Sequence, residues 1–277
     1  MKKFHITTNR QKDPTLAVTN SLKEYLEKKG AGCTIQSVNR KAGEKYDARK
    51  IPVDTECILV LGGDGTLIRA AGAFKDTGIA LYGINLGTLG FLADTDKNGM
   101  FEAMDQLLAD DFFRESRMMI QGKYLEQGEE REKCFALNDI VIMRKGSLRV
   151  LQLNIAVNGE HLYTYKADGI LISTPTGSTA YNLSAGGPIV SPTAAMMILT
   201  PICPHTLNKR SIVLSAEDVI SITLGEKEEA EIVFDGNHAI TMGYADRVDI
   251  CKAEMSTKLL RTNRLSFLEN LRKKMGS

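Results

Sequence analysis

Three stretches of this chain hold residue types that do chemistry at close spacing. The first is Gly62-Gly63-Asp64-Gly65-Thr66, between the apolar run Cys57–Leu61 and a helical pattern starting near Leu67. Glycines let backbone N–H groups approach a ligand because no Cβ intervenes. A helix beginning here aims its positive end at the same spot. Together they predict a phosphate cradle. A Walker A loop would need a lysine that is absent, and the G-x-G-x-x-G fingerprint fails because Ile68 stands where its third glycine belongs. A carboxylate repels phosphate unless it has a task of its own. Asp64 has two candidates: a base for an attacking hydroxyl, or a ligand for phosphate-bound Mg²⁺. The plainer alternative is a helix cap assisted by Thr66. Arg69, one turn on, either reaches a phosphate or is a solvated helix residue.

The second stretch, Gly83-Ile84-Asn85-Leu86-Gly87-Thr88-Leu89-Gly90-Phe91-Leu92, again places a glycine turn after a buried strand pattern. Ligands of open α/β sheets bind at the C-terminal edge of the strands, so two such turns on neighbouring strands face one crevice. The third runs from Ala167 to Pro188. A buried strand, Gly169–Ile172, opens into a loop rich in Ser, Thr and Gly with one aromatic, Tyr181. Hydroxyls, free amides and a stacking face suit a sugar–base ligand such as a nucleotide. A generic surface loop is the alternative, weakened by Asp168 and Tyr181 at its ends and by Pro175 and Pro188. Asn138-Asp139 interrupts the apolar run Phe135–Met143; such a pair faces solvent or marks a bulge at a site.

The elements that position these stretches differ between the halves. Lys3–Thr7, Ile35–Val38, Cys57–Leu61 and Ile79–Ile84 are strand patterns. Helical patterns alternate with them around Leu16–Leu26, Leu67–Phe74 and Met100–Leu108. That alternation predicts a doubly wound parallel sheet. After about residue 115, period-two patterns take over. Leu151–Val157 leads through Asn158-Gly159, a type I′ turn pair, into His161–Tyr165. Glu231–Phe234, the turn Asp235-Gly236-Asn237 and Ala239–Met242 repeat the logic. Met118–Leu125, Gly169–Ser173, Val219–Leu224 and Arg247–Cys251 complete a mostly antiparallel β half. The tail from about Glu254 reads as a helix docked through Leu265, Leu268 and Leu271.

Composition narrows the function classes. The chain has 277 residues, with 35 Lys+Arg against 34 Asp+Glu, a net charge of +1. That excludes a polycationic nucleic-acid binder. No apolar run approaches the roughly 18 residues of a membrane helix, and nothing behind Met1-Lys2-Lys3 resembles a signal peptide. Five scattered cysteines without a C-x-x-C pair point to free thiols in the cytoplasm. Four histidines without H-E-x-x-H give no reason to expect a transition-metal site.

The motifs, in their order, resemble the NAD kinase family. The resemblance rests on Gly62–Thr66 with the following Leu-Ile-Arg-Ala-Ala, Leu86–Asp94 (LGTLGFLAD), Leu137-Asn138-Asp139, and Asp168–Pro188 with its STPTGSTAYNLSAGGP core. Pro201–Pro204-His205-Thr206-Leu207 and Arg210 also match. G-G-D-G is shared with diacylglycerol, sphingosine and 6-phosphofructo-kinases, whereas STPTGSTAYN is specific. The resemblance implies an α/β, Rossmann-like domain over residues 1–112, a larger β-rich NAD-binding domain over 113–252, and a segment, 253–277, returning to the first.

The reaction it implies moves the γ-phosphoryl group of ATP, another nucleoside triphosphate or polyphosphate to the 2′-hydroxyl of the adenosine ribose of NAD. Mg²⁺ or another divalent cation accompanies ATP, and no tightly bound cofactor is implied. Asp64 would be the base and Gly65 would lie against the ribose. Asn138 and Asp139 would bind the adenosine. Asp168 and the run Thr179, Ala180, Tyr181, Asn182, Leu183 and Ser184 would hold the dinucleotide. Arg69, Phe91, Arg149, Lys166, Thr176 and Asn237 complete the NAD set. Gly62, Gly63, Gly65 and Thr66 would cradle phosphate, with no protein metal ligands. The family usually has Asn-Glu where this chain has Asn138-Asp139; Asp is one methylene shorter, which implies weaker NAD binding through a small shift or a water. Members are commonly homodimers or homotetramers. The rivals are a lipid kinase of the same superfamily, a non-catalytic NAD-binding regulator and a dehydrogenase. The first wants an apolar groove, the second has no use for Asp64, and the third wants a dinucleotide fingerprint and a nearby His.

Overall fold

The computed structural model describes residues 1–88, 90–146, 150–205, 209–225, 228–263 and 266–275. In chain order the elements begin β1 (Lys3–Asn9), α1 (Ala17–Lys28), β2 (Gly32–Val38), β3 (Cys57–Gly62), α2 (Asp64–Phe74), β4 (Ala80–Asn85), β5 (Thr95–Asp96) and α3 (Met100–Leu108). They continue with β6 (Phe113–Glu126), β7 (Glu129–Ala136), β8 (Asp139–Arg144), β9 (Leu151–Val157), β10 (Glu160–Ala167), β11 (Gly169–Ser173) and α4 (Tyr181–Ser184). The last are β12 (Met196–Ile202), β13 (Ile212–Ser215), β14 (Ile220–Leu224), β15 (Glu229–Phe234), β16 (His238–Gly243), β17 (Arg247–Arg261) and α5 (Phe267–Met275). The chain packs as two units, Met1–Ser116 with Thr257–Ser277, and Arg117–Ser256.

The first unit is a parallel sheet ordered β2-β1-β3-β4, with β5 and the end of β17 added beside β4. β3 and β4 are buried along their whole length, as strands covered on both faces must be. Leu59, Leu61, Tyr82 and Ile84 meet Leu22 and Leu26 of α1 and Met100, Met104 and Leu107 of α3 in one cluster. The opposite face takes α2, where Leu67 fills the space over Gly83.

The second unit packs a six-stranded antiparallel sheet, β13-β12-β11-β8-β15-β16, across an apolar core from strands β6, β7, β9, β10, β14 and the start of β17. Alternate residues such as Leu153, Ile155, Ile170, Ile172, Ile220 and Ile232 fill that core. The Asn158-Gly159 turn has φ of 52° and 84°, the I′ pair that its sequence predicts.

Four expectations need correction. The run Phe135–Met143 is two strands, because the chain breaks between Ala136 and Asp139. β12 and β13, with no expected counterpart, form the far side of the six-stranded sheet. The loop after β11 is not open: Thr176–Thr179 is a 3₁₀ turn and Tyr181–Ser184 a helical turn. β17 runs ten residues beyond Cys251, to Arg261. The terminal helix therefore occupies only Phe267–Met275, and none of its residues is buried. Leu268 is exposed, and Leu265 lies outside the described residues.

Candidate active site

In the first unit the two glycine turns lie at the C-terminal ends of adjacent strands. Gly62 ends β3 and accepts a hydrogen bond from the Leu86 N–H just after β4, so each turn braces the other. Asp64 is the first residue of α2. Its carboxylate does not cap that helix. It reaches across to the second turn and accepts N–H bonds from Phe91 (2.7 Å), Leu92 (3.2 Å) and Ala93 (3.3 Å). Gly90 is required for this approach, since a Cβ there would sit 2.0 Å from a carboxylate oxygen. Thr66 N–H returns to the Gly63 carbonyl, whereas no backbone acceptor among the described residues takes the N–H of Asp64 or Gly65. Those two donors lie at the positive end of α2. Arg69 folds back along the helix, donating to Thr66 Oγ1 (3.3 Å), with Nη1 beside Gly65.

A buried polar network fixes the second turn from behind. Asp94 accepts from Tyr82 Oη, from the Thr262 N–H and Oγ1, and from the Asn263 N–H. Arg261 donates to the Leu92 carbonyl and to Glu115. Lys274 of α5 sits over the Phe91 ring, 4.9 Å from its centroid.

In the second unit the predicted residues gather at one end of the six-stranded sheet. Register places Asp139 beside Ser173 and Ile140 beside Phe234, so β8 begins where β11 and β15 end. Asp235, in the turn after β15, accepts N–H bonds from Leu137 (2.7 Å), Asn138 (2.8 Å) and Asp139 (3.1 Å). From the other side Thr174 donates to the Asn138 carbonyl through N–H and to the Leu137 carbonyl through Oγ1. Gly177 packs so tightly that a Cβ would lie 2.2 Å from the Asn138 oxygen. The result is a cavity of about 370 Å³ lined by Asn138, Asp139, Ala180, Tyr181, Asp235 and Gly236, with Val141, Met143 and Val233 below. Asn138 Oδ1 is buried in this wall without a hydrogen-bond partner among the described residues. A buried acceptor left over in a native fold asks for a ligand donor. Burial pushes the Asp139 carboxyl up to about 7, aided by the nearby Asp235 charge. Asp235 is pushed to about 6 by burial, against the pull of its three N–H donors.

The remaining predicted residues divide. Asp168 forms an ion pair with Arg144 (3.1 Å) and is not in the cavity wall. Thr176 is buried and accepts from Arg117 (3.3 Å), and Thr179 donates to the Thr176 carbonyl. Asn182 is fully buried: it donates to the Ser178 and Pro188 carbonyls and accepts from Thr200, so it builds the loop. Leu183 is half-buried, Ser184 and Lys166 are exposed, and Asn237 is exposed in the β15–β16 turn. Arg149 lies outside the described residues. Sequence reasoning missed Asp235, Arg117, Arg144 and the amides of 91–93. Asp235 was legible only as a turn residue.

Comparison with known proteins follows the same division. Residues 5–112 match the family model of the ATP-NAD kinase N-terminal domain, and residues 137–262 that of the ATP-NAD kinase C-terminal domain. An NAD kinase of Lachnospira eligens is 44% identical, covering 99% of this chain and 100% of its own. One from Agathobacter rectalis is 45% identical, covering 100% and 99%. Among solved structures, yeast NADH kinase complexed with NADH superposes with a TM-score of 0.82 at 21% identity, over 99% of this chain and 88% of that one. An NAD kinase from Archaeoglobus fulgidus in complex with ATP gives 0.80 at 22%, over 99% and 98%. The motif order, the two domain matches and the full-length relatives agree, and the chain belongs to the NAD kinase family.

Proposed function

We propose that this protein transfers the γ-phosphoryl group of ATP to the 2′-hydroxyl of the adenosine ribose of NAD. The observation that carries the reading is the state of Asp64. A carboxylate offers about four acceptor positions. Three on Asp64 are filled by the second turn, which holds the group rigid, and one remains. That position takes the hydroxyl proton as the 2′-oxygen forms its bond to the γ-phosphorus. The bond from that phosphorus to the β–γ bridging oxygen breaks, ADP leaves, and Asp64 returns its proton to solvent. The Asp64 and Gly65 amides at the start of α2, with Arg69, meet phosphate charge; Gly62, Gly63 and Thr66 shape the turn around it. Such a reaction depends on positioning and charge neutralisation.

The dinucleotide belongs to the second unit. Asn138 Oδ1 and Asp139 receive donors of the adenosine, Ala180 and Tyr181 wall it, and Asp235 holds the backbone beneath. Asp168, Lys166, Asn237 and the Thr176–Ser184 segment support or border this site. A divalent cation fits as a passenger on ATP: the two turns supply one carboxylate, far fewer than the six or so oxygen ligands of a protein cage. Bound with ATP, it neutralises phosphate charge. The full-length relatives do not favour a lipid kinase. Five scattered cysteines without a C-x-x-C pair support the cytoplasm as its compartment. We also assign the homodimer or homotetramer that the resemblance implies, to be checked by light scattering.

The test is to incubate the protein with NAD, ATP and Mg²⁺, with polyphosphate in parallel, and detect NADP with an NADP-specific dehydrogenase. Asp64→Asn is expected to lower turnover by about 10²–10⁴-fold. Turnover near the wild-type rate would remove Asp64 from the base role. NAD binding without NADP from any donor would overturn the kinase reading in favour of a regulator.

A further inference from the structure

In the second unit, outside the residues that line the Asn138 cavity, Glu132, Cys134 and His238 bring their ligating atoms within 4.8 Å of one another. Glu132 and Cys134 are two apart on β7 and therefore share one face. His238 opens β16, an edge strand of the six-stranded sheet. Its Nε2 lies 2.8 Å from Glu132 Oε1, and Cys134 Sγ lies 3.3 Å from the same oxygen. The His238 ring also rests against Phe234, centroid to centroid 6.2 Å, which limits its rotation. The His238 and Glu132 side chains are 50% and 44% exposed, so an ion can enter from solvent.

We propose that Glu132, Cys134 and His238 form a binding site for a borderline-soft divalent metal ion of the Zn²⁺ class. The donor set decides the class. Thiolate and imidazole suit Zn²⁺ and its first-row neighbours, and Mg²⁺ and Ca²⁺ take oxygen. Zinc binds S at about 2.3 Å and N or O at about 2.0–2.2 Å. Tetrahedral geometry at those lengths sets ligand atoms roughly 3.3–3.6 Å apart. The 2.8 and 3.3 Å spacings need to change by less than about 1 Å, and the Cys134–His238 separation, within 4.8 Å, by at most about 1.5 Å, within reach of partly exposed side chains. Three protein ligands leave the fourth position to water. On binding, the Cys134 thiol proton goes to solvent, and the proton that bridges His238 Nε2 and Glu132 Oε1 leaves that position for Nδ1, so that Nε2 and the carboxylate both face the ion. The ion joins β7 to the start of β16. β7 runs into Leu137-Asn138-Asp139, and β16 follows the turn whose Asp235 holds those amides. Metal would thus brace the turn under the cavity wall. Local spacing could not reveal this site, because 104 residues separate Cys134 from His238 (238 − 134).

The experiment strips the full-length, reduced protein with chelator and titrates it with Co²⁺, then with Zn²⁺, without nucleotide. Expected are one Co²⁺ per chain with thiolate-to-cobalt charge-transfer absorption, displacement by Zn²⁺, and a thermal midpoint that rises with Zn²⁺. Cys134→Ser is expected to lose the absorption. His238→Gln keeps all five thiols and is expected to bind at least about 100-fold more weakly, since even outer partners of a metal site cost 10–100-fold. Cys203→Ser, which alters an exposed cysteine outside the cluster, is expected to behave as wild type. Melting of the metal-free variants shows that they fold. Absorption unchanged in Cys134→Ser, affinity unchanged in His238→Gln, or no Co²⁺ bound by reduced wild type overturns the proposal.

Discussion

Asp139 has only 6% of its surface exposed, and its carboxyl rises to about 7 because burial opposes the charged form. An unfolded Asp titrates near about 3.9. Between these values the folded chain holds a proton that the unfolded chain has lost, so stability falls as pH rises from about 4 to 7. Asp139→Asn removes that dependence. Thermal midpoints of variant and wild type at pH 5 and pH 8 test the sign: the difference should shift in the variant's favour at the higher pH. An equal difference at both values would mean that Asp139 is not held protonated by burial. At this scale the sequence was informative where a residue is out of character. An aspartate among glycines and a polar pair inside an apolar run both stood out. Asp235 did not, because an aspartate in a turn is ordinary, and its three N–H donors lie 96 to 98 residues away.

Element by element, periodicity located the strands flanking the site, and packing decided what lay between them. The break between β7 and β8 looks in sequence like a flaw in one long strand. In the fold it frees Leu137 and Asn138 to take hydrogen bonds from Thr174 on one side while giving theirs to Asp235 on the other. The Ser/Thr segment after β11 promised free hydroxyls. Thr174 and Ser178 instead spend theirs on the Leu137 and Pro175 carbonyls, so much of the segment is scaffold. Gly177→Ala tests that scaffold. Its methyl would meet the Asn138 carbonyl at 2.2 Å, where backbone rather than a flexible side chain must yield. The 3₁₀ turn then moves off β8, and the cavity wall at Ala180 and Tyr181 moves with it. Expected is a rise in KM for NAD of roughly tenfold, about 1.4 kcal/mol, with KM for ATP little changed. Equal increases for both substrates would place the damage outside the dinucleotide site.

For the molecule as a whole, chain order conceals how the first unit is completed. Residues 257–277 belong with 1–116 although 140 residues of the other unit intervene (257 − 117). In sequence Leu265, Leu268 and Leu271 recur at helical spacing, which is why the tail from about Glu254 reads as a helix. Extended as β17, it instead buries Leu259 and Leu260 and sets Leu259 beside Leu81 of β4. Its last residue, Arg261, is 9% exposed. It ties the Leu92 carbonyl to Glu115 while Thr262 and Asn263 hold Asp94. The turn that fixes Asp64 is thus secured by the far end of the chain. Removing one partner of a buried ion pair leaves the other charge stranded and costs about 3–5 kcal/mol. Arg261→Met keeps most of the volume and should lower the thermal midpoint by that equivalent. NADP formation should fall as well, because Leu92 and its neighbours would no longer hold the Asp64 carboxylate in place. Adding Glu115→Gln removes one of the two carboxylates that Arg261 faces, Asp94 at 3.6 Å being the other, and should restore part of the stability, but not the turnover, since the Leu92 tether stays broken. If turnover returned together with stability, the tether would be irrelevant to Asp64, and Arg261 would serve only the packing of the first unit.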